Sequence, residues 1–237
     1  MKPPRGIFIT ATDTGAGKTL VAALVAKLAV ARGLGVTMMK PVASGCAAED
    51  GELVSEDLSF YRRAGIPVED AALACPLRFK APLSPNVAAA LEGKEIDTAR
   101  VMQAFTALAK RNEFVVVEGI GGLLVPLARR HTVADLMETM RLPVLVVATN
   151  RLGVINHAAL TVEAAKRRGM ALKGIVLNSV SEKRDLSRRY NRKAIEALTD
   201  VPVLCELAFH DGVQDGDLDD AYREFEATVG IDELFND

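Results

Sequence analysis

Tryptophan is absent from the 237 residues, and aromatic side chains make up only 5% of them. A surface that grips single-stranded nucleic acid by stacking its bases needs more rings than this. An excess of either charge is missing too: 29 Lys and Arg face 31 Asp and Glu, a formal net charge of −2. No overall field therefore advertises nucleic acid or an anionic membrane as a partner. Cysteine is scarce. Cys46, Cys75 and Cys205 are odd in number, far apart and never in C-x-x-C spacing, which argues against a disulfide framework or zinc knuckle and for a reducing, cytoplasmic setting. His131, His157 and His210 are as dispersed, with no pair at helical spacing. The longest apolar helical stretch, 19–31, is interrupted by Lys27 and falls short of the ~20 residues that span a bilayer. Met1-Lys2-Pro3-Pro4-Arg5 leads straight into a short apolar strand and does not read as a signal peptide.

What the chain has is apolar material, 49% hydrophobic residues, enough for one substantial core over the whole of 1–237. Short apolar runs at 7–9, 36–39, 115–117, 144–147, 175–177 and 201–204 alternate with helical patterns at about 18–32, 98–111, 133–141, 157–168 and 185–198. Gly33 stops the first helix, and Pro202 marks the last run as a strand start or an edge. Alternation on this scale predicts an α/β fold, a mostly parallel central sheet with helices on both faces. Its ligands should then lie beyond the carboxyl ends of the strands. The stretch 43–85 reads as irregular, with a short helix near 57–64, and its length suits a binding loop or lid. The acidic stretch from Asp211 onward reads as solvent-facing surface.

Thr12-Asp13-Thr14-Gly15-Ala16-Gly17-Lys18-Thr19 lies between the first strand and the first helix. It matches the phosphate-binding P-loop pattern, except that its first glycine position holds Thr12. Gly15 and Gly17 let backbone N–H groups close on a phosphate, and the helix N-terminus adds partial positive charge. Lys18 then neutralises the β/γ-phosphates and the Thr19 hydroxyl ligates Mg²⁺. The motif predicts nucleotide binding and leaves the phosphoryl acceptor open.

Other strand ends carry further candidates. Lys40 closes the second strand in Lys40-Pro41-Val42-Ala43-Ser44-Gly45. It is either a solvated lysine or a second cation for the transferred phosphoryl group. Glu118 follows a Val run in Val117-Glu118-Gly119-Ile120-Gly121-Gly122, where a Mg²⁺-binding carboxylate is expected, although an acidic cap on a glycine turn fits as well. Asp57 reads as a helix-start carboxylate, and Asn178 either as a turn residue or as a reader of an adenine edge. Gly153-Val154-Ile155-Asn156-His157 opens a helix whose N–H groups can hold an anion, with a routine cap by Asn156 as the alternative. Lys183, Arg184, Arg188, Arg189, Arg192 and Lys193 form a basic run best read as a solvated helix face.

Taken in order, the motifs resemble those of the dethiobiotin synthetases, the ATP-dependent ring-closing enzymes of biotin synthesis. They are Thr12-Asp13-Thr14-x-x-Gly17-Lys18-Thr19, Lys40-Pro41-Val42-x-Ser44-Gly45, Ala81-Pro82-x-Ser84-Pro85, Val117-Glu118-Gly119-x-Gly121-Gly122 and Leu152-Gly153-x-Ile155-Asn156-His157. The family has glycine where this chain has Ala11, tolerable if its φ is negative, and histidine where this chain has Asn86. The stretch around Cys205-Glu206-Leu207, expected near the nucleotide base, matches the family poorly.

The resemblance implies ATP and Mg²⁺ as cofactors. Asp13, Thr14, Gly15, Ala16, Gly17, Lys18 and Thr19 would form the phosphate site, with Asn178 at the adenine and Thr19, Asp57 and Glu118 on the metal. Lys40 and Ser44 would face a carbamate and, with Lys18 and Thr14, form the catalytic set. Glu118, Gly121, Gly153, Asn156 and Tyr190 would complete the substrate site. The implied substrates are diaminopelargonate, CO₂ and ATP, and the implied assembly is a homodimer sharing the 153–157 loop. Two rivals use the same loop. Cobyrinate-type amidating synthetases carry a glutaminase domain for which this chain has no room. Partition-type ATPase switches place a signature lysine where this chain has Thr12-Asp13-Thr14.

Overall fold

Every apolar run becomes a strand of one sheet in the computed structural model, which describes residues 5–183, 185–229 and 234–235. The strands are β1 (Gly6–Ala11), β2 (Val36–Met39), β3 (Phe114–Glu118), β4 (Val144–Thr149), β5 (Leu172–Asn178) and β6 (Val203–Leu207). All pair in parallel, in the order β6-β5-β4-β1-β3-β2. Pro202 immediately precedes an edge strand, so both readings of it hold. Parallel neighbours need crossovers, and the chain supplies helices: α1 (Lys18–Ala31), α2 (Glu56–Arg63), α3 (Pro85–Leu91), α4 (Thr98–Arg111), α5 (Val133–Met140), α6 (Val154–Arg167), α7 (Arg188–Thr199) and α8 (Asp219–Thr228).

Alternate residues of each strand face opposite layers. Ile7, Ile9, Met38, Val116, Leu145 and Val147 pack with Val21, Leu24 and Leu28 of α1, Tyr61 of α2 and Phe225 of α8. Phe8, Met39, Val115, Val117, Val144 and Val146 pack with Val101 and Phe105 of α4, Met137 of α5 and Val162 of α6. Two cores on the two faces of one sheet are what the near-continuous apolar strands require.

Three expectations need correction. The stretch 43–85 is only partly irregular. Val42–Ala43 pairs with Leu77–Arg78, Ala47–Glu49 forms a hairpin with Glu52–Val54, and α2 begins at Glu56. The segment from Asp211 onward is not all surface, because α8 carries buried Ala221 and Phe225, four residues apart, on one apolar stripe. Finally, α6 starts at Val154, three residues earlier than the pattern suggests, because Gly153 takes a left-handed conformation (φ 95°) and caps it. Asn156 is therefore inside the first turn and is not the cap.

Because Phe225 is fully buried in the α1 layer, Phe225→Ala should destabilise the protein by ~3–5 kcal/mol. Denaturant unfolding followed by circular dichroism checks this; a loss below about 1 kcal/mol would show that α8 does not dock on the sheet in solution.

Candidate active site

The loop after β1 has the conformation a phosphate cradle needs. Gly15 and Gly17 adopt φ of 75° and 91°, and Gly17 caps α1 with no side-chain hydrogen bond, so the first N–H groups of the helix stay available to an anion. A Cβ on Gly17 would sit 2.0 Å from Asn178 Nδ2, which makes glycine obligatory there. Ala11 is an ordinary strand residue paired with Val147 and is not among the positive-φ positions. Alanine in place of the family's glycine thus leaves the loop undisturbed.

Five charged or hydroxyl groups from two strand ends, α1 and α2 meet beside this loop. Thr19 Oγ1 lies 3.0 Å from Asp57 Oδ1 and 3.0 Å from Glu118 Oε1. Lys40 Nζ donates to Glu118 Oε1 (2.8 Å) and to the Gly119 carbonyl (3.1 Å), and lies 3.1 Å from Asp57 Oδ2. The Tyr61 hydroxyl donates to the other oxygen, Glu118 Oε2. Lys40 is only 4% exposed and Glu118 only 1%, so neither a solvated strand-end lysine nor a surface cap describes them.

Burial shapes the protonation of this cluster. On its own it would lower the Lys40 pKa, but Glu118 and Asp57 together raise it, so Lys40 stays an ammonium. Burial raises the Glu118 pKa, as does the Asp57 charge, against the pull of Lys40. Burial works the same way on Asp57, yet Lys40 and Thr19 hold its carboxyl below the usual range. Lys18 is lowered, first by burial and then by nearby Lys40. Burial, then the Glu118 charge, pushes the Tyr61 hydroxyl well above its ordinary range, leaving it a firm proton donor.

Two carboxylates and a hydroxyl form a hard, all-oxygen donor set of the kind Mg²⁺ takes when substrate phosphates complete its shell. Among the described residues no group of three or more His, Cys, Asp or Glu side chains offers a closed metal cage. The Lys40 ammonium already lies between the same two carboxylates, so the position favours a cation.

Two adjoining cavities flank the loop. One, of about 280 Å³, is lined by Lys18, Thr19, Glu56, Asp57 and Phe60. The other, of about 360 Å³, is lined by Asn178, Val180, Phe209 and His210, and both share Gly15, Gly17, Leu20, Val213 and Gln214. Asn178 is buried, donates from Nδ2 to the Ala16 carbonyl (2.9 Å), and leaves Oδ1 without a partner. One half of its amide braces the phosphate loop, and the other is a buried acceptor with no protein partner in a residue that lines the second cavity. Cys205 and Leu207 are buried; the cavity wall comes instead from 208–214, just beyond β6.

The remaining candidates are spread more widely. Asp13 accepts from Thr14 N (2.7 Å) and lies 3.9 Å from Arg151. Gly121 (φ 59°) is beside Thr14, whose Oγ1 would be 3.6 Å from a Cβ built there. Ser44 is half-buried, while Asn156 is exposed and Tyr190 is 65% exposed. Among the described residues no hydrogen bond or ion pair links Asn156 or Tyr190 to Lys40, Asp57 or Glu118. Asn191 donates to Asn150 Oδ1 (2.8 Å) and Leu152 N to Asp185 (2.8 Å), so α7 is tied to the loop that opens α6. In the basic run, Arg188 donates to the Asn150 carbonyl and Arg192 pairs with Glu196, so part of it is structural; Arg184 lies outside the described residues. Sequence reasoning missed Tyr61 and the 208–214 wall. The helical spacing of Asp57 and Tyr61, i and i+4 on one face, was the available signal for the first.

The chain as a whole resembles known proteins. A family model described as an AAA domain matches residues 5–215. The "ATP-dependent dethiobiotin synthetase BioD" of Anaeromyxobacter dehalogenans (strain 2CP-1 / ATCC BAA-258) is 51% identical over 195 residues, 82% of this chain and 86% of that protein. Proteins of the same name from Thermodesulfovibrio yellowstonii and Bacillus subtilis (strain 168) are 38% and 36% identical, over 86% and 84% of this chain and 88% and 85% of theirs. Among solved structures, a ParA family ATPase from Chlorobium tepidum TLS aligns with a TM-score of 0.57 at 14% identity, covering 95% of this chain and 96% of that one. The MinC:MinD cell division protein complex of Aquifex aeolicus aligns with a TM-score of 0.60 at 12% identity, covering 94% and 92%. Those two likenesses extend to the fold alone. Sequence identity of 36% to 51% across more than four-fifths of the chain carries the assignment further: this chain belongs to the family of ATP-dependent dethiobiotin synthetases.

Proposed function

We propose that the chain closes a cyclic urea on 7,8-diaminononanoate (diaminopelargonate), using CO₂ and ATP and releasing dethiobiotin, ADP and phosphate. The observation that carries this reading is Lys40. It is a second buried cation, set at the end of β2 next to the Thr19 end of the phosphate loop. A nucleotide-binding loop by itself needs no such group, whereas an anionic nucleophile approaching an anionic phosphate does.

One substrate amine captures CO₂ as a carbamate. A carbamate oxygen attacks the γ-phosphorus and the bond to ADP breaks, leaving a carbamic–phosphoric anhydride. The second amine attacks its carbonyl carbon, phosphate departs with the bonding electrons, and the ammonium loses its proton. The loop N–H groups from Asp13 to Thr19 and the Lys18 ammonium hold the triphosphate. Asn178 Oδ1 meets the adenine. Lys40 and Ser44 steer the carbamate oxygen, and Thr14 and Gly121 border the transfer region. Thr19, Asp57 and Glu118 would hold Mg²⁺, which would supply charge neutralisation for the phosphates. These roles are positioning and electrostatics throughout.

Gly153, Asn156 and Tyr190 bind the tail carboxylate from the second protomer of a homodimer. The exposed Leu124, Leu152 and Leu160, 58%, 81% and 58% accessible, support this as apolar surface that a second protomer would cover. Among the described residues no helix is long and apolar enough to cross a membrane, and a cytoplasmic enzyme acting on small molecules, without nucleic acid, fits the composition.

Phosphate release in ATP, Mg²⁺ and bicarbonate should depend on diaminopelargonate and be matched by product of the dethiobiotin mass. Release indifferent to the diamine sinks the reading. Lys40→Ala should lower kcat by ~10²–10³-fold while affinity for a non-hydrolysable ATP analogue changes far less; near-native turnover would remove Lys40 from the mechanism. Sedimentation of Leu152→Asp should show weakened dimers and a raised KM for the diamine. A fully active wild-type monomer would refute the shared site.

A further inference from the structure

Tyr61 is fully buried within the α1-side core, its ring edge-on to Phe60 at 6.0 Å. A buried phenol needs a partner for its hydroxyl, and here the partner is Glu118 Oε2. The opposite oxygen, Glu118 Oε1, is the one that meets Thr19 Oγ1 and Lys40 Nζ. Tyr61 and Asp57 also occupy one face of α2, four residues apart. A single helix thus presents a carboxylate to the site and a hydroxyl to the second carboxylate, which arrives from the end of β3.

We propose that Tyr61 is a positioning residue for the metal site, fixing the Glu118 carboxylate so that Oε1 faces Thr19 and the transferred phosphates. The inference rests on the Mg²⁺ reading above. Groups that orient a ligating carboxylate from behind commonly change metal affinity 10- to 100-fold when lost. Without the hydroxyl, Oε2 keeps no donor among the described residues, and the carboxylate is free to turn toward Lys40 with both oxygens. Phenylalanine preserves the ring packing, so a loss confined to metal coupling separates this role from a merely structural one.

The test is calorimetric binding of a non-hydrolysable ATP analogue to the intact protein, in excess Mg²⁺ and again in EDTA. The ratio of the two affinities measures metal coupling without turnover. In wild type, Mg²⁺ should tighten binding; if it does not, the metal reading itself is wrong. In Tyr61→Phe the ratio should fall about 10-fold while affinity in EDTA stays unchanged. An unaltered ratio in Tyr61→Phe, with coupling intact in wild type, overturns the proposal. Tyr61→Gln keeps a donor but packs worse, so its coupling should lie nearer wild type than that of Tyr61→Phe; the reverse order would assign Tyr61 to packing alone. In a Glu118→Gln background, Tyr61→Phe should cause no further loss, since the two act through one carboxylate.

Discussion

Glu118 is 1% exposed, and a carboxylate removed that far from water is severely destabilising unless cations and donors meet it. Three groups do so: Lys40 and Thr19 at one oxygen, Tyr61 at the other. Each comes from a different element, β2, α1 and α2. Satisfying one buried charge therefore fixes the relative positions of two strand ends, the first turn after the phosphate loop and the helix that carries Asp57. Lys40 in turn fills all three of its donor positions with Glu118, the Gly119 carbonyl and Asp57. The pair is mutually dependent, and it touches the cavity beside the loop through Thr19 and Asp57, which line it.

The parallel sheet makes such an arrangement possible. With β1 flanked by β3 and β4, and β2 beyond β3, the carboxyl ends of β1, β2 and β3 open on one edge. Loops from three strands then reach one point without any long excursion of the chain. The glycines after Glu118 keep that edge open. A Cβ on Gly119 would lie 2.9 Å from Phe8 and one on Gly122 3.2 Å from the Ala11 carbonyl, so glycine at these two positions lets the third loop lie close against β1.

How much of this can be read in the sequence depends on whether the signal is local. The strands were legible because a strand covered on both faces must be apolar throughout. Lys40 and Glu118 were legible because a charge ending such a run lies at the ligand edge. Asp57 was not legible on its own, since a carboxylate in the first turn of a helix is common, and only the resemblance to a family singled it out. Tyr61 was harder to read for a different reason: its contact is with a residue 57 positions away, and its only local signal is the i, i+4 spacing from Asp57, which a core aromatic shows as readily. Helix α8 was obscured by its polar composition, in which only the stripe formed by Ala221 and Phe225 reports the buried face.

Proteins only 12% and 14% identical share this fold, and a cradle for phosphates serves any reaction at a γ-phosphoryl group. What aims the cradle is the chemistry placed beside it. Here the loop itself holds Thr12-Asp13-Thr14, and the additional lysine comes from the end of β2, paired inward with Asp57 and Glu118. A lysine within the loop would be carried by the loop's own movement. One at a strand end, locked to a buried carboxylate, is held by the core of the protein. That placement suits the electrostatic role proposed for Lys40, because electrostatic stabilisation is largest where the charges need no reorganisation during the reaction.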